Sequence, residues 1–489
     1  MYNGPIIKRE EAETVPEPGK ERLWFGQLFP EKTISLVVLL ASFMFLHMTL
    51  LNMGNHAGEG YLSTVQREQV YYALQVLAIF GFLCYAAADR LAACSARARK
   101  TVMFCVLGVM LAGGAVMLFA GRDSLFYLIV TFAVIPCLGY SGGACYHRMS
   151  REAAAGARVA RGMGLGNSAA IALQYFLQLQ WSLKPALAAV MLAALFTFGY
   201  LLLDTAPESQ PQAGDWAAEP AARRRTVFTV LIAAGLLLFV GFYNESIHHL
   251  QIRSGYTTYN AYSWPRLMMI PGYLLFSAIG DAKGGKLVPL AALCLSLAAL
   301  LNASLTDAYW LNMCLFYVAL SGAVSYYLLA FWRLAPRTKY PALWAGMGRI
   351  LDSAVVLGMG LLQASTLSAA ATLAVNIAAL ALIIVLMAAG GDFNFTGQPT
   401  ATETAADAPP ARSPEQALAQ LRERYALTPR ETEVLRELVR TEDKQTVISE
   451  RLNIQVKTLQ DHVTRLYKKT GTATRSGLTE LYYETLNGR

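Results

Sequence analysis

The chain is poor in charge. Asp, Glu, Lys and Arg make up only 15% of it, against 55% hydrophobic residues. That balance excludes an ordinary soluble protein of 489 residues and puts most of the chain in lipid. Paired cysteines are also missing. Cys84, Cys94, Cys105, Cys137, Cys145, Cys294 and Cys314 lie in or beside apolar segments without a C-x-x-C pair, and read as free thiols with no redox or zinc role. His248 and His249 are adjacent, but neighbours on a helix point about 100° apart and no other ligand residues cluster with them, so no metal is expected. Cofactor motifs are lacking too. Gly162, Gly164 and Gly166 have no preceding strand, which removes the context of a nucleotide loop. Close helix packing is the reading for them and for Gly139, Gly142 and Gly143, which follow a Pro136 expected to bend its helix. No nucleophile and base stand in a catalytic pattern, and no receiver-type phospho-acceptor domain is present, so an enzyme is not expected. The first 30 residues lack the apolar run of a removable leader. Lys8, Arg9, Glu10, Glu11 and Glu13, set among prolines, read as a cytoplasmic tail.

Apolar runs are what the chain does have. Between Ile34 and Ala389, twelve segments approach the ~20 residues that cross a bilayer, at roughly 34–54, 70–88, 101–120, 123–145, 162–180, 184–203, 226–250, 264–280, 287–306, 308–332, 341–362 and 368–389. One alternating set of loops holds sixteen Lys and Arg, from Arg90 to Lys339. The other holds five: Arg67, Arg122, Lys184, Arg253 and Arg266. Basic residues are retained in the cytoplasm, so both termini are expected there. The longest polar interruption, 204–225, divides the spans into six (31–203) and six (226–390). Asp89-Arg90 ends the second span, and Asp281 with Lys283-Gly284-Gly285-Lys286 ends the eighth. Twelve spans, a long central loop and this placement resemble the major facilitator superfamily, whose second-to-third loop carries G-x-x-x-D-R/K-x-G-x-R/K. Tyr85, Ala92, Ser277 and Ala282 depart from that pattern. The resemblance implies a loop that helps govern rocking between outward and inward states.

Residues 391–412, rich in Ala, Thr, Pro and Gly, read as a flexible linker of ~25 Å root-mean-square span, which keeps residues 413–489 near the bilayer. Ser413-Pro414-Glu415-Gln416 and Thr428-Pro429-Arg430-Glu431 are capping boxes, each opening a helix. Val434, Leu435 and Leu438 give one apolar face; Val447, Ile448 and Leu452 give a short second helix, ended by a turn at Asn453-Ile454. In the next helix Leu459, Val463 and Leu466 form a buried stripe, leaving Lys457, Gln460, Asp461, Thr464, Arg465 and Lys468 outward. Helix, turn, helix with a polar outer face is the geometry that enters a major groove. L-T-P-R-E-x-E-V-L, then E-R-L-x-I-x-x-K-T, then H-V-x-R-L, closed by Lys468-Lys469 and Gly471, resembles the LuxR-type (NarL/FixJ-type) DNA-binding domain. The resemblance implies an all-α, four-helix module in which Lys457, Thr458 and His462 grip phosphates and Gln460, Asp461 and Thr464 touch base edges. It also implies pairing through the last helix, where Leu478, Leu481, Tyr482 and Leu486 form a stripe. Arg465, Lys468 and Lys469 complete the expected basic surface, although from Ser413 on 13 Lys plus Arg stand against 11 Asp plus Glu.

Ionisable residues inside a span are costly and point to ligands or to structural pairs. Arg349 and Asp352, three apart on the eleventh span, fit a ligand contact in a central cavity or a pair that ties two spans together. Asn244 and Glu245, with Tyr243 and His248, form a polar patch near the outer end of the seventh span, read either as an interfacial cap or as a ligand gate. His47 is a weaker pore candidate, with Asn52, Gln75, Asn167, Gln174, Gln178 and Asn376. For each of these an interhelical hydrogen bond is the commoner role.

The first of three competing functions is a one-component regulator in a bacterial inner membrane: a small-molecule inducer biases the facilitator-like domain, and the cytoplasmic domain converts the bias into promoter occupancy. Its partners would be promoter DNA, the inducer, membrane lipid, a second copy paired through the helix-turn-helix, and RNA polymerase if it activates. The second function is a transporter with a regulatory DNA-binding tail. The third is a transporter-like receptor whose tail binds protein alone.

Overall fold

The computed structural model describes residues 31–91, 96–180, 182–203, 220–255, 263–281, 287–390, 413–440, 443, 445–470, 472 and 475–486. The tail over 1–30, the central loop up to residue 219, the linker 391–412, Cys94, and residues 282–286 of the second loop signature lie outside the described residues. Among the described residues all regular structure is helical. The chain divides into two compact units, Met1–Phe393 and Asn394–Arg489.

The first unit holds α1 (Glu31–Asn55), α2 (Thr64–Leu91), α3 (Ala96–Phe119), α4 (Leu125–Ala154), α5 (Val159–Gln174), α6 (Lys184–Leu203), α7 (Pro220–Arg253), α8 (Met269–Gly280), α9 (Val288–Leu305), α10 (Tyr309–Leu334), α11 (Pro341–Leu361) and α12 (Ala369–Gly390). Each expected span coincides with one of them. Ten are long and apolar enough to cross a membrane. The other two are interrupted: α5 runs on as a π-helical segment, Tyr175–Gln180, and α8 is preceded by a 3₁₀ segment, Trp264–Met268. Pro265 and Pro271 account for the second break, since each removes a backbone donor that an α-helix needs.

The outer surface differs from that of a soluble protein. Large apolar side chains face outward, with Leu361 87% and Leu305 80% exposed and Phe104, Phe196 and Tyr200 also on the surface. Thr49, Gln75, Thr131, Asn167, Asn312 and Asn376 lie inside. In lipid this arrangement is required, because hydrocarbon solvates the apolar surface and offers polar groups no hydrogen bond.

Glycines set the closest approaches. A Cβ on Gly139 of α4 would collide with the Ala78 carbonyl oxygen of α2, and one on Gly81 of α2 would collide with the Pro136 carbonyl oxygen. Pro136 itself sits inside an unbroken α4. The glycine triplet on α5 serves two neighbours. Gly162 and Gly166 meet Leu36, Val37 and Ala41 of α1, while Gly164 meets Ser277 of α8. Helix packing, as expected, is what those glycines do.

The helix pairing repeats after six. In the first half α1 packs on α4, α5 and α6, α2 packs on α4, and α3 packs on α4 and α6. Adding six to every number gives α7 on α10, α11 and α12, α8 on α10, and α9 on α10 and α12, and all of these pairs are also in contact. The halves meet through α2 on α11, α5 on α8 and α4 on α10, a set that the same operation maps onto itself.

The second unit comprises α13 (Pro414–Arg424), α14 (Pro429–Arg440), α15 (Gln445–Arg451), α16 (Val456–Thr470) and α17 (Arg475–Leu486). Its own core gathers Leu418, Leu421, Val434, Leu435, Leu438, Ile448, Leu459, Val463, Leu466, Leu478 and Tyr482. One expected core residue is displaced. Val447 is 41% exposed, because α15 has only seven residues and a residue adjacent to the buried Ile448 points about 100° away from it.

Gly139→Val forces a side chain into the α2 backbone, so the chain should lose about 3 kcal/mol or more and yield little monodisperse protein. Gly108→Ala, which meets nothing within 4 Å, should leave the melting temperature in detergent unchanged.

Candidate functional site

In the second unit both predicted capping boxes close. The Gln416 N–H donates to Ser413 Oγ at 3.2 Å and the Ser413 N–H to Gln416 Oε1 at 2.9 Å; the Glu431 N–H donates to Thr428 Oγ1 at 3.3 Å and the Thr428 N–H to Glu431 Oε2 at 2.8 Å. The turns that end α13 and α15 are alike. Ala426 (φ 48°) and Asn453 (φ 51°) adopt left-handed conformations, while the Leu427 N–H reaches the Arg422 carbonyl and the Ile454 N–H the Ser449 carbonyl, each at 3.0 Å. These are Schellman ends, which turn the chain sharply without leaving carbonyls unpaired. The second sets the angle between α15 and α16, and Arg430 pins it from α14 by donating to the Leu452 carbonyl at 2.6 Å.

That turn fixes which face of α16 is free. Leu459, Val463 and Leu466 are buried, while Lys457, Thr458, Gln460, Asp461, Thr464, Arg465 and Lys468 are exposed on the opposite side. Gln460 Nε2 lies 3.3 Å from Gln445 Oε1, so the start of α15 borders this surface. Two of the sequence-derived residues stand apart from it. His462 is half-buried, with Nδ1 lacking a partner. Lys469 points its ammonium back, 2.7 Å from Glu431 Oε2 and 3.0 Å from the Ala426 carbonyl. It ties α16 to the capping box of α14. The stripe on α17 is also used internally: Leu478 and Tyr482 are in the core, and Leu481 and Leu486 pack against it.

Short helices joined by a tight turn, with a polar helix laid open, define a helix-turn-helix module. Residues 425–482 match the family described as Bacterial regulatory proteins, luxR family. The chain therefore carries a LuxR-family DNA-binding domain at its C-terminal end, joined to a helical unit with ten helices long and apolar enough to cross a membrane. No curated protein matches the chain.

In the first unit the ionisable residues of the eleventh span come together with aromatic groups that the sequence reading passed over. Arg349 donates through Nη1 to Asp352 Oδ2 at 2.9 Å and through Nε to Tyr146 Oη of α4 at 3.3 Å. Its Nη2 lies 4.0 Å from Met44 Sδ of α1, and the guanidinium carbon lies 6.0 Å from the Tyr327 ring centroid. His47 and Tyr273 lie within the same electrostatic neighbourhood. Tyr146 stacks on Phe82 at 5.9 Å, meets Phe43 edge-on at 5.5 Å and lies tilted against Trp332 at 5.5 Å. Tyr146 and Trp332 sit at ends of their expected spans, where the sequence suggests an interfacial aromatic belt. Only the packing shows that they turn inward.

The polar patch of the seventh span is not part of this cluster. Glu245 neighbours Tyr72 of α2, and Tyr72 packs on Gly360 of α11, eleven residues and therefore ~16 Å along the helix from Arg349. Asn244 is on the same stretch of α7 as Glu245. Other pore candidates join helices. Gln75 Oε1 accepts from Ser353 Oγ at 2.9 Å, and Asn376 Nδ2 donates to Ser246 Oγ at 3.0 Å. Asn167 is fully buried with both amide atoms unpartnered.

Asp281, at the end of α8, reaches across the halves. Its carboxylate accepts from the Ala160 and Arg161 N–H groups at 3.2 and 3.1 Å, at the start of α5, and pairs with the Arg161 and Arg333 guanidinium groups at 3.9 Å. At the corresponding end of the first half, Arg90 of α2, the residue after the Asp281-matching Asp89, lies 3.6 Å above the Tyr340 ring, just before α11.

Burial disfavours the charge on Glu431, but the Lys469 ammonium and the Thr428 backbone and hydroxyl outweigh it and hold the carboxyl below its usual range. A carboxyl whose value falls on folding stabilises above its unfolded value of about 4.3 and loses that contribution as pH falls through the depressed folded value. Glu431→Gln should cost the C-terminal domain about 1–2 kcal/mol at pH 7 and flatten its acid limb in urea titrations between pH 5 and 3. Ala426→Gly should gain about 0.5–1 kcal/mol, measured in the same titrations, because the left-handed conformation strains a Cβ.

Proposed function

We propose that this protein is a one-component transcriptional regulator embedded in a bacterial cytoplasmic membrane, with a facilitator-like twelve-helix domain that senses a small molecule. The observation that carries the proposal is a LuxR-family DNA-binding domain on the same chain as a multi-pass helical unit whose halves share a half-buried arginine. Repetition of the helix pairing after six supports the facilitator-like reading. Sixteen basic loop residues against five support cytoplasmic termini, where the DNA-binding domain has access to promoters.

In this reading Lys457, Thr458 and Lys468, with Arg465, hold phosphates, and Gln460, Asp461 and Thr464 meet base edges. His462 enters only if its half-buried ring turns outward, and Lys469 acts by fixing α16. Binding as a dimer follows from the family likeness. A ligand changes promoter occupancy only through a difference in its affinity for two membrane states, and residues that cross the halves, Arg349 and Asp281, are where such a difference arises.

A transporter with a regulatory tail is favoured by one observation, the intact two-half pairing. Uptake of a ligand into proteoliposomes would establish it.

In a reporter strain, Lys457→Ala with Thr458→Ala should abolish ligand-dependent promoter output and leave the membrane level of the protein unchanged; undiminished output refutes the assigned reading face. Asp281→Asn should change ligand-free output several-fold, within the 5–150-fold range of typical couplings. Output equal to wild type would remove Asp281 from the switching mechanism.

A further inference from the structure

Hydrogen-bond donors outnumber acceptors around Arg349. Its guanidinium carries five N–H groups and no acceptor. One meets Asp352 and one meets Tyr146, while the Nη2 side faces the Met44 thioether at 4.0 Å. Tyr146 also turns its hydroxyl to that sulfur, at 3.7 Å. A thioether is a weak acceptor for either donor. Beside them Tyr327 and Trp332, both fully buried, leave the phenol oxygen and the indole Nε1 without partners. His47 Nδ1 is unpartnered as well. Buried donors left unpaired in a native fold are costly and call for an explanation.

Donors in surplus, one fixed cation and aromatic walls point to one ligand chemistry. We propose that the membrane unit binds a small organic carboxylate, with Arg349 taking the carboxylate and Tyr327 and Trp332 donating to its oxygens. The inference rests on the reading that this unit binds a ligand at Arg349. A cationic ligand is disfavoured because Asp352, the carboxylate next to Arg349, is already paired with it. A dianion is disfavoured because one guanidinium would face two added charges beside that same carboxylate. The organic body is set by the aromatic cluster beside the arginine, in which Phe43, Phe82 and Trp332 pack on Tyr146. Arg349 belongs to the second half, and Met44 and Tyr146 to the first. A carboxylate that takes the Nη2 face from Met44 therefore alters a contact between halves, which is the differential affinity that switching requires.

The test uses the purified full-length chain in detergent, with acetate, hexanoate and benzoate as probes, each paired with its carboxamide. Expected is a rise in melting temperature of several degrees with at least one carboxylate and none with its amide. Arg349→Gln should abolish the shift. Tyr327→Phe should not lower the ligand-free melting temperature, since its hydroxyl has no partner to lose, and should weaken the carboxylate response about tenfold, equivalent to about 1.4 kcal/mol. Tyr327→Phe also serves as the readout if Arg349→Gln fails to fold. Silence with all three carboxylates, equal shifts with the amides, or an undiminished shift in Arg349→Gln or Tyr327→Phe overturns the proposal. Genomic-fragment binding by the same preparation separates the two readings. Selective DNA binding without a carboxylate response sinks the ligand class alone, and a carboxylate response without selective DNA binding sinks the regulator.

Discussion

An arginine does not give up its proton at any pH a cell offers, and lipid gives that charge nothing to bind. Arg349 therefore has to be answered from within the helical bundle, and the unit is arranged around the answer. Asp352 supplies the charge and Tyr146 an oxygen, while Met44, Tyr273 and Tyr327 flank the remaining sides. Because the answering groups come from α1, α4, α8 and α10 as well as from α11, the arginine holds together helices of both halves.

The same physics governs the backbone. Helices that cannot gain from hydrophobic exclusion in lipid gain from close contact instead, and glycine permits it. Gly81 with Gly139 and the α5 triplet bring backbones together at the two most confined crossings, α2 on α4 and α5 between α1 and α8. The α5–α8 crossing is also one of the seams between halves, and Asp281 caps α5 across it. Close packing and polar contacts between the halves thus share one seam.

The C-terminal unit obeys the opposite solvent. Its thirteen-residue core is sealed by capping boxes and Schellman turns, so that a polar helix can be presented without unfolding its neighbours. Lys469 shows how local identity misleads: in sequence it extends a basic run, and in three dimensions it completes the carboxylate network of α14. Its partner Glu431 is distant in sequence, and no local pattern announces the pair.

Periodicity and end signals were legible in the chain because they depend on residues within one turn of each other. The twelve apolar stretches, both capping boxes, the Asn453 turn and the exposed side of α16 follow from spacing alone. Val447 was misplaced because apolar character does not say which of two adjacent residues on a short helix faces inward. What folding alone decided is which distant groups meet. Arg349 with Tyr146, Trp332 turned inward, Glu245 far from the arginine, and Asp281 on α5 are contacts between segments separated by many tens of residues. In such contacts a side chain's role is set by the helix opposite, and a linear sequence states composition along a helix but not which helix lies across from it.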